Sequence, residues 1–435
     1  MARPVARPTA LFHLYRGAAR VLSPLAYLLV ARKLRRHDVS PRRMHERLGN
    51  ASEHRPAGRL IWFHAASVGE SLSVLTLITH MGDYLTDAEF LITSGTATSA
   101  ALIARRLPPR TRHQFAPLDA PGPIRRFYDH WQPDAGIFVE SELWPGILAE
   151  GHQRGVPLAL LNARLSEKSA ATWQKVPATA RFVLDRFDLM LTQNAEIADR
   201  LLSIGADPAR VEVGSNLKAT SAPLPVDHDT LEQMRRALGD RPAWVASSTH
   251  PGEEQVVLQA HQTLLQDHPD LCLILVPRHP ERGNDVATLV RDAGLSMARR
   301  TAQEPITDDI QVYMADTLGE TGTWYALSPL VFLGGSLRPI GGHNPYEVAQ
   351  AGAAVMTGPH VSNFAETYAP LFDMGGAVEV SDAASLANGM RGWLDDPDTL
   401  EQARAAARAF VASQQDKLAG LVTTLCSALG LAPRG

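Results

Sequence analysis

The chain has 435 residues, of which 45% are hydrophobic and 20% charged, and its net charge is −4 at pH 7. At roughly 150 residues per domain this length suits two or three domains, and the composition excludes wholesale disorder. Two distant cysteines, Cys272 and Cys426, exclude a disulfide framework and a zinc ribbon and fit a reducing compartment.

The net charge conceals an asymmetry. Residues 1–50 hold eleven Lys and Arg against Asp38 and Glu46, a net of +9, and the remaining 385 residues carry −13. A basic start on an acidic body suggests an anionic surface as a partner. Residues 21–31 (Val-Leu-Ser-Pro-Leu-Ala-Tyr-Leu-Leu-Val-Ala) form an apolar run between Arg16 and Arg20 and the cluster Arg32, Lys33, Arg35 and Arg36. The run is about half of the roughly 20 residues that span a bilayer. No small-residue cleavage site follows, which argues against a signal peptide. Three readings are open. They are an interfacial helix held by apolar burial and by basic residues on anionic lipid, a tilted span that includes residues 10–31, and an ordinary helix packed on the body. The first is preferred. Residues 1–40 are therefore read as a membrane-associating segment, peripheral or N-terminally anchored.

From residue 59 onward, strand-like runs alternate with helical patterns. Leu60–His64 precedes a helix over Ser71–Leu85, and Phe90–Thr93 precedes Ala97–Arg106. Gly136–Val139 precedes Pro145–Arg154, Pro157–Leu161 follows, Asp188–Thr192 precedes Glu196–Ile204, and Val211–Val213 closes the first half. The linker is expected at Ala219–His228, which has no helical apolar period. In the second half Trp244–Ser247 leads to a helix over Glu253–Gln266, and Cys272–Val276 leads to Asn284–Gly294. Gln311–Met314, Leu330–Leu333 and Ala354–Thr357 are further strands, and Glu401–Leu429 is an Ala-rich helix. This rhythm predicts an α/β protein with two parallel sheets, each covered by helices on both faces. A cleft between two such units is expected, with ligands at the carboxyl ends of strands. There is no Walker loop and no Gly-x-Gly-x-x-Gly, which counts against an ATPase or a dinucleotide enzyme.

The candidate chemistry sits at strand-to-helix turns. Glu70 follows Leu60–His64 at a helix start, where a capping acid is the simpler reading on spacing alone. Glu140-Ser141-Glu142-Leu143-Trp144-Pro145 follows Gly136–Val139, and strand alternation would put Glu140 and Glu142 on one side. Lys218, in Ser215–Lys218 at the end of the first half, is a candidate phosphate contact or a surface lysine. Val276-Pro277-Arg278-His279-Pro280 ends a strand with two potential cations. Leu318-Gly319-Glu320 opens a helix after Asp316. Gly334-Gly335-Ser336 and Gly341-Gly342-His343-Asn344-Pro345-Tyr346-Glu347 carry two glycine pairs, read as letting backbone N–H groups approach a ligand before a helix N-terminus. Glu347 is a candidate acceptor for ribose hydroxyls. His64, His250, His279 and His343 lie at these turns without metal-ligand spacing and are read as polar lining; no metal is expected.

Taken in series, His64–Glu70, Glu140–Pro145, Asn162–Ser166, Ser215–Lys218, Ser247–Glu254, Val276–Arg282, Leu318–Glu320, Gly334–Ser336, Gly341–Glu347 and Gly358–His360 resemble the 3-deoxy-D-manno-octulosonic acid (Kdo) transferases of Gram-negative bacteria. The resemblance implies a GT-B fold of two Rossmann-like domains facing a cleft. Residues 41–218 would bind the acceptor, residues 219–400 the CMP-sugar, and residues 401–435 would form a helical segment that can pack back on the first domain. It implies an inverting transfer of Kdo from CMP-Kdo to a lipid A precursor in an anionic leaflet, at the cytoplasmic face of the inner membrane, in lipopolysaccharide biosynthesis. No cofactor, metal or nucleic acid is implied. By position, Glu70 matches the family's proton acceptor, and Glu140 and Lys218 match residues assigned to transition-state stabilisation. Pro277, Arg278, Leu318, Gly319, Glu320, Asn344, Pro345, Tyr346 and Glu347 match the CMP-binding positions. Gly146 departs from the family's usual Asn after Trp-Pro, and Leu318 and Tyr346 stand where Met and Leu are expected. A GT-B transferase or epimerase for another nucleotide sugar is the alternative enzyme. A catalytically dead membrane scaffold is the non-enzymatic alternative.

Overall fold

The central apolar runs form strands because they are buried on both faces, as a helix-covered parallel sheet requires, whereas Val211–Val213 is largely exposed. The computed structural model describes residues 5–66, 68–214 and 223–433, and residues 68–73 by their helical backbone alone. Seven strands make the first sheet: β1 (Arg59–His64), β2 (Ala88–Ser94), β3 (Thr111–Phe115), β4 (Ala135–Val139), β5 (Leu158–Ala163), β6 (Leu189–Thr192) and β7 (Val211–Val213). Their order is β3-β2-β1-β4-β5-β6-β7, all parallel. Seven more make the second sheet: β8 (Ala243–Thr249), β9 (Cys272–Pro277), β10 (Met297–Arg299), β11 (Val312–Met314), β12 (Leu330–Leu333), β13 (Ala354–Thr357) and β14 (Ala377–Glu379). Their order is β10-β11-β9-β8-β12-β13-β14, again all parallel.

The chain divides into two units, one of residues 1–220 with 416–435 and one of residues 221–415. In the first, Ile61 and Phe63 face a core shared with Val74, Ile78 and Met81, and Leu60 and Trp62 face the opposite core with Phe127, Trp131 and Leu148. Leu418, Val422, Leu425 and Cys426, from the C-terminal part of the chain, belong to the Ile61 core. In the second unit Val245 and Ile274 face one core, and Trp244, Ala246 and Leu273 the other. Cys272 is a buried core residue with a free thiol. Each such side chain contributes roughly 1.5–3 kcal/mol by leaving water.

The order of each sheet reverses at its centre. In the first sheet β1 lies between β2 and β4, and in the second β8 lies between β9 and β12. At these points successive connections leave in opposite directions, and a crevice opens beyond the carboxyl ends of the two strands. Such crevices are where α/β sheets hold ligands.

The N-terminal run lies in one helix, Ala10–Arg35, which includes Pro24. Thr9 caps it, accepting from the Phe12 N–H. Phe12, Ala31 and Leu34 are buried, whereas Leu14, Val21, Leu22, Leu25, Leu28 and Leu29 are exposed. Tyr15 donates its hydroxyl to Asp119, and the Ala6 N–H donates to Asp185. Among the described residues no helix is long and apolar enough to cross a membrane.

Candidate active site

The crevice of the first sheet is built from β1, β2 and β4. His64, the last residue of β1, shares its Nδ1 with Thr93 Oγ1 of β2 at 2.9 Å, and its Nε2 lies 3.2 Å from Glu142 Oε2 beyond β4. The Trp62 indole also donates to Thr93 Oγ1, and the Trp144 indole donates to Glu142. Burial pushes the Glu142 carboxyl up. The hydrogen bond from His64, its charge and the Trp144 N–H outweigh this and hold it below the usual carboxylate range. A hollow of about 90 Å³ here is lined by His64, Ala66, Gly95, Asp119, Glu142 and Trp144, among others.

Asp119 closes this hollow. Its carboxylate accepts the Gly146 N–H at 3.0 Å, the Ile147 N–H at 2.7 Å and the Tyr15 hydroxyl at 2.6 Å. It thereby caps helix Pro145–Gln153 from a distance, a role that no side chain within that turn performs. Burial raises its pKa, against the three hydrogen bonds that lower it. Gly146 makes the approach possible, because a Cβ there would meet Asp119 Oδ1 at 2.7 Å. The helix-start contact at the position of the Gly146 departure is therefore made by backbone.

Glu140 lies directly after β4 with φ +59°. Its N–H donates to the Leu161 carbonyl and its carbonyl accepts from the Arg164 N–H. Strand alternation ends at Val139, so the expectation that Glu140 and Glu142 share a side by alternation does not apply to this left-handed turn. Glu142 is the one that meets His64. Glu70 is the third residue of helix Val68–Tyr84, which begins earlier than the apolar spacing suggests. Its side chain and all of Lys218 lie outside the described residues.

The crevice of the second sheet gathers residues from β8, β9 and β12. Pro277 ends β9 and is buried, while Arg278 and His279 behind it are exposed. The Arg278 N–H donates to the Thr249 carbonyl at the end of β8. His250 Nε2 lies 3.0 Å from His343 Nε2, with the rings nearly parallel at 14°. Burial is the first cause that lowers both imidazoles, and nearby positive groups add to it. His343 falls to about 4. Asn344 caps helix Pro345–Gln350, its Oδ1 accepting from the Tyr346 N–H. Tyr346 itself is only 2% exposed and packs in the core against Phe410. The Tyr346 side chain is therefore turned into the core and away from solvent. Glu347 is half-buried in the first turn of the same helix.

Leu318 is 77% exposed, and Gly319 takes φ +86° beside it. Glu320 is bound by the Arg300 guanidinium and by Thr317. Burial pushes its pKa up, but these partners hold it below the usual range.

The glycine pairs require a correction. At Gly334, Gly335 and Gly342 they do not leave free N–H groups for a ligand. The N–H groups of Gly335, Ser336 and Leu337 donate to the fully buried Glu253 carboxylate at 2.7, 2.9 and 2.8 Å, and the His250 N–H adds a fourth bond at 3.0 Å. The Gly342 N–H donates to the Gly335 carbonyl. The backbone nest is filled from inside by a carboxylate. Sequence reasoning passed over this role of Glu253, as it did those of Asp119 and Thr93. The one local signal was an acid three residues after His250, the spacing of a capping box. Among the described residues no group of three or more His, Cys, Asp or Glu is arranged to hold a metal ion.

A family model described as 3-deoxy-D-manno-octulosonic-acid transferase matches residues 42–221. A probable mitochondrial Kdo transferase of Arabidopsis thaliana is 36% identical over 407 residues, 91% of each chain. The chain belongs to the Kdo transferase family. The Kdo transferase of Haemophilus influenzae is 34% identical over 358 residues, 81% of this chain and 83% of that one. A solved glycosyltransferase from Rickettsia africae is 12% identical and superposes with a TM-score of 0.56, covering 86% of this chain and 99% of that one. That likeness concerns fold alone, and the fold is GT-B. Membership makes the chain a glycosyltransferase.

Proposed function

We propose that this enzyme transfers Kdo from CMP-Kdo, with inversion, to a sugar hydroxyl of a lipid A precursor in lipopolysaccharide biosynthesis. The observation that carries the reading is the 36% identity to a Kdo transferase across 91% of both chains. Glu70 is assigned the proton of the attacking hydroxyl, a contribution of roughly 10²–10⁴-fold for a positioned general base. Glu140 and Lys218 are assigned to the transition state. The CMP moiety is assigned to Pro277, Arg278, Leu318, Gly319, Glu320, Asn344, Pro345, Tyr346 and Glu347. Arg278 supports this, because its exposed guanidinium at the end of β9 has no side-chain partner among the described residues. Charge gathers on the departing CMP phosphate, and Lys218 and Arg278 are assigned the cationic role of offsetting it. The transfer accordingly runs with the donor as its only nucleotide ligand and is insensitive to EDTA.

Work at the cytoplasmic face of an inner membrane follows from a lipid acceptor. The exposed leucines of helix Ala10–Arg35 and its basic last turn support it. The test is incubation with CMP-Kdo and a lipid A precursor, with mass spectrometry of the product. Added Kdo that falls at least about 100-fold in Glu70→Gln, with CMP still raising the melting temperature, is the expected result. Near wild-type turnover in that variant removes Glu70 from the role. Protection by UDP but not CMP would transfer the chain to another nucleotide sugar.

A further inference from the structure

Among the described residues, no carboxylate forms an ion pair with His250 or His343 of the second unit. His343 is surrounded by His250, Arg278 and His279, all neutral or cationic groups that disfavour its protonation. His250 meets those groups and also Glu253 and Glu254. Both acids are already engaged. Glu253 accepts four backbone N–H groups, and Glu254 is buried against the Arg282 guanidinium at 2.7 Å. Arg338, the remaining nearby cation, donates to the Gly252 carbonyl, and exposed His279 has Glu281 at 3.4 Å.

The two Nε2 atoms at 3.0 Å permit one proton between them. One ring donates and the other accepts, an arrangement that two neutral imidazoles satisfy. Gly335 leaves room for the His343 ring, since a Cβ there would meet His343 Cδ2 at 2.8 Å. With both Nε2 atoms engaged in this contact, the pair gains charge only at an outer ring nitrogen. An anion arriving beside it favours that gain.

The donor has two anions. The carboxylate of a 2-keto sugar acid is bonded to the same carbon that carries the phosphate ester, so the two must be bound side by side. Arg278 and the Asn344 turn are assigned to the nucleotide, and His250 and His343 are the immediate neighbours of both in sequence or contact. We propose that the His250–His343 pair is the subsite for the sugar carboxylate of the donor and takes up one proton when that carboxylate binds. This rests on CMP-Kdo being the donor. It makes the pair a specificity device: a nucleotide carrying a neutral hexose gives it no charge to meet.

The sign follows from linkage. The free pair resists protonation and the carboxylate-bound pair is protonated, so donor affinity falls as pH rises. For one proton the donor KM rises by up to about tenfold per pH unit between the free and bound pKa values. The test is steady-state kinetics of the full-length enzyme on CMP-Kdo from pH 6 to 8.5, with CMP as a competitive inhibitor. His343→Gln should raise the donor KM about tenfold near pH 6 and flatten its pH dependence, leaving the CMP inhibition constant within about threefold of wild type at each pH. An equal loss of CMP affinity would assign the pair to the phosphate. An unchanged KM would make it structural, and either result overturns the proposal. His250→Gln, at the less buried ring, repeats the measurement if His343→Gln does not fold. A wild-type enzyme that fails to consume CMP-Kdo would instead overturn the donor assignment itself.

Discussion

At the scale of single residues, two carboxylates do work that their neighbours in sequence do not reveal. Glu253 replaces a ligand inside a backbone nest, taking four N–H groups and forming no ion pair among the described residues. A glutamine there presents one oxygen and turns an NH₂ toward donors, leaving at least one buried N–H without a partner. Each such loss costs roughly 1–3 kcal/mol. Glu253→Gln is expected to lose about 3 kcal/mol of stability, read as a lower denaturant midpoint at unchanged slope. Glu253→Asp, which keeps the charge, should lose less. If the two variants are equally stable, the nest does not depend on charge. Asp119 offers the parallel case. Gly146→Ala forces a Cβ against its carboxylate, and an overpacking cost of about 1–3 kcal/mol is expected from thermal unfolding. A Gly146→Ala protein as stable as wild type would mean that Asp119 shifts freely.

At the scale of elements, helix Ala10–Arg35 combines two faces. Phe12, Ala31 and Leu34 hold it to the first unit, and its remaining leucines face outward beside Arg32, Lys33 and Arg35. Basic residues near an anionic leaflet contribute about 1 kcal/mol each. Replacing Arg32, Lys33, Arg35 and Arg36 by glutamine should weaken binding to phosphatidylglycerol vesicles by roughly 10²–10³-fold in sedimentation, with little effect on the melting temperature. Equal binding by the quadruple variant would remove the electrostatic part of the attachment. The strands illustrate what a sequence displays. Central strands such as Leu60–Phe63 and Cys272–Val276 are buried on both faces and stand out as apolar runs. The three strands that the apolar pattern passes over, β3, β10 and β14, are all sheet edges. An edge strand needs less apolar cover, and Thr111-Arg112-His113-Gln114-Phe115 reads as a loop by composition. The candidate site divides in the same way. Turns that follow strands were legible, because glycines, acids and prolines cluster there. The contacts His64–Glu142, Glu253–Gly335 and His250–His343 were not, since they join residues 78, 82 and 93 positions apart. Strand order brings such residues together, and no local pattern encodes it.

At the scale of the whole molecule, each unit holds a buried histidine whose partners demand the neutral form. In the first, His113 Nδ1 faces the Arg43 guanidinium at 2.5 Å and its Nε2 meets Ser94 Oγ at 2.9 Å. Burial, then the Arg43 charge, lower its pKa to about 3. In the second, His261 Nδ1 accepts the Trp244 indole N–H at 3.2 Å and its Nε2 lies 3.0 Å from the Gln311 carbonyl. Burial lowers its pKa to about 4, against a smaller raising effect from that carbonyl. An unfolded chain protonates both near pH 6.5. Between pH 6.5 and about 4 the unfolded state therefore binds protons that the folded state refuses, and stability is lost as pH falls through that window. Each group fully inside the window removes about 1.4 kcal/mol per pH unit. Carboxylates held low by partners, such as Asp316 with Arg299, lose their contribution only at lower pH, so the two effects separate along the pH axis. Calorimetry at half-unit steps from pH 7.5 to 4.5 should give a melting temperature that is nearly flat above pH 7 and falls steadily below 6.5. His261→Gln keeps a neutral side chain and should shallow that fall while lowering the plateau. A wild-type profile that stays flat down to pH 5 would mean that these histidines accept protons in the folded chain.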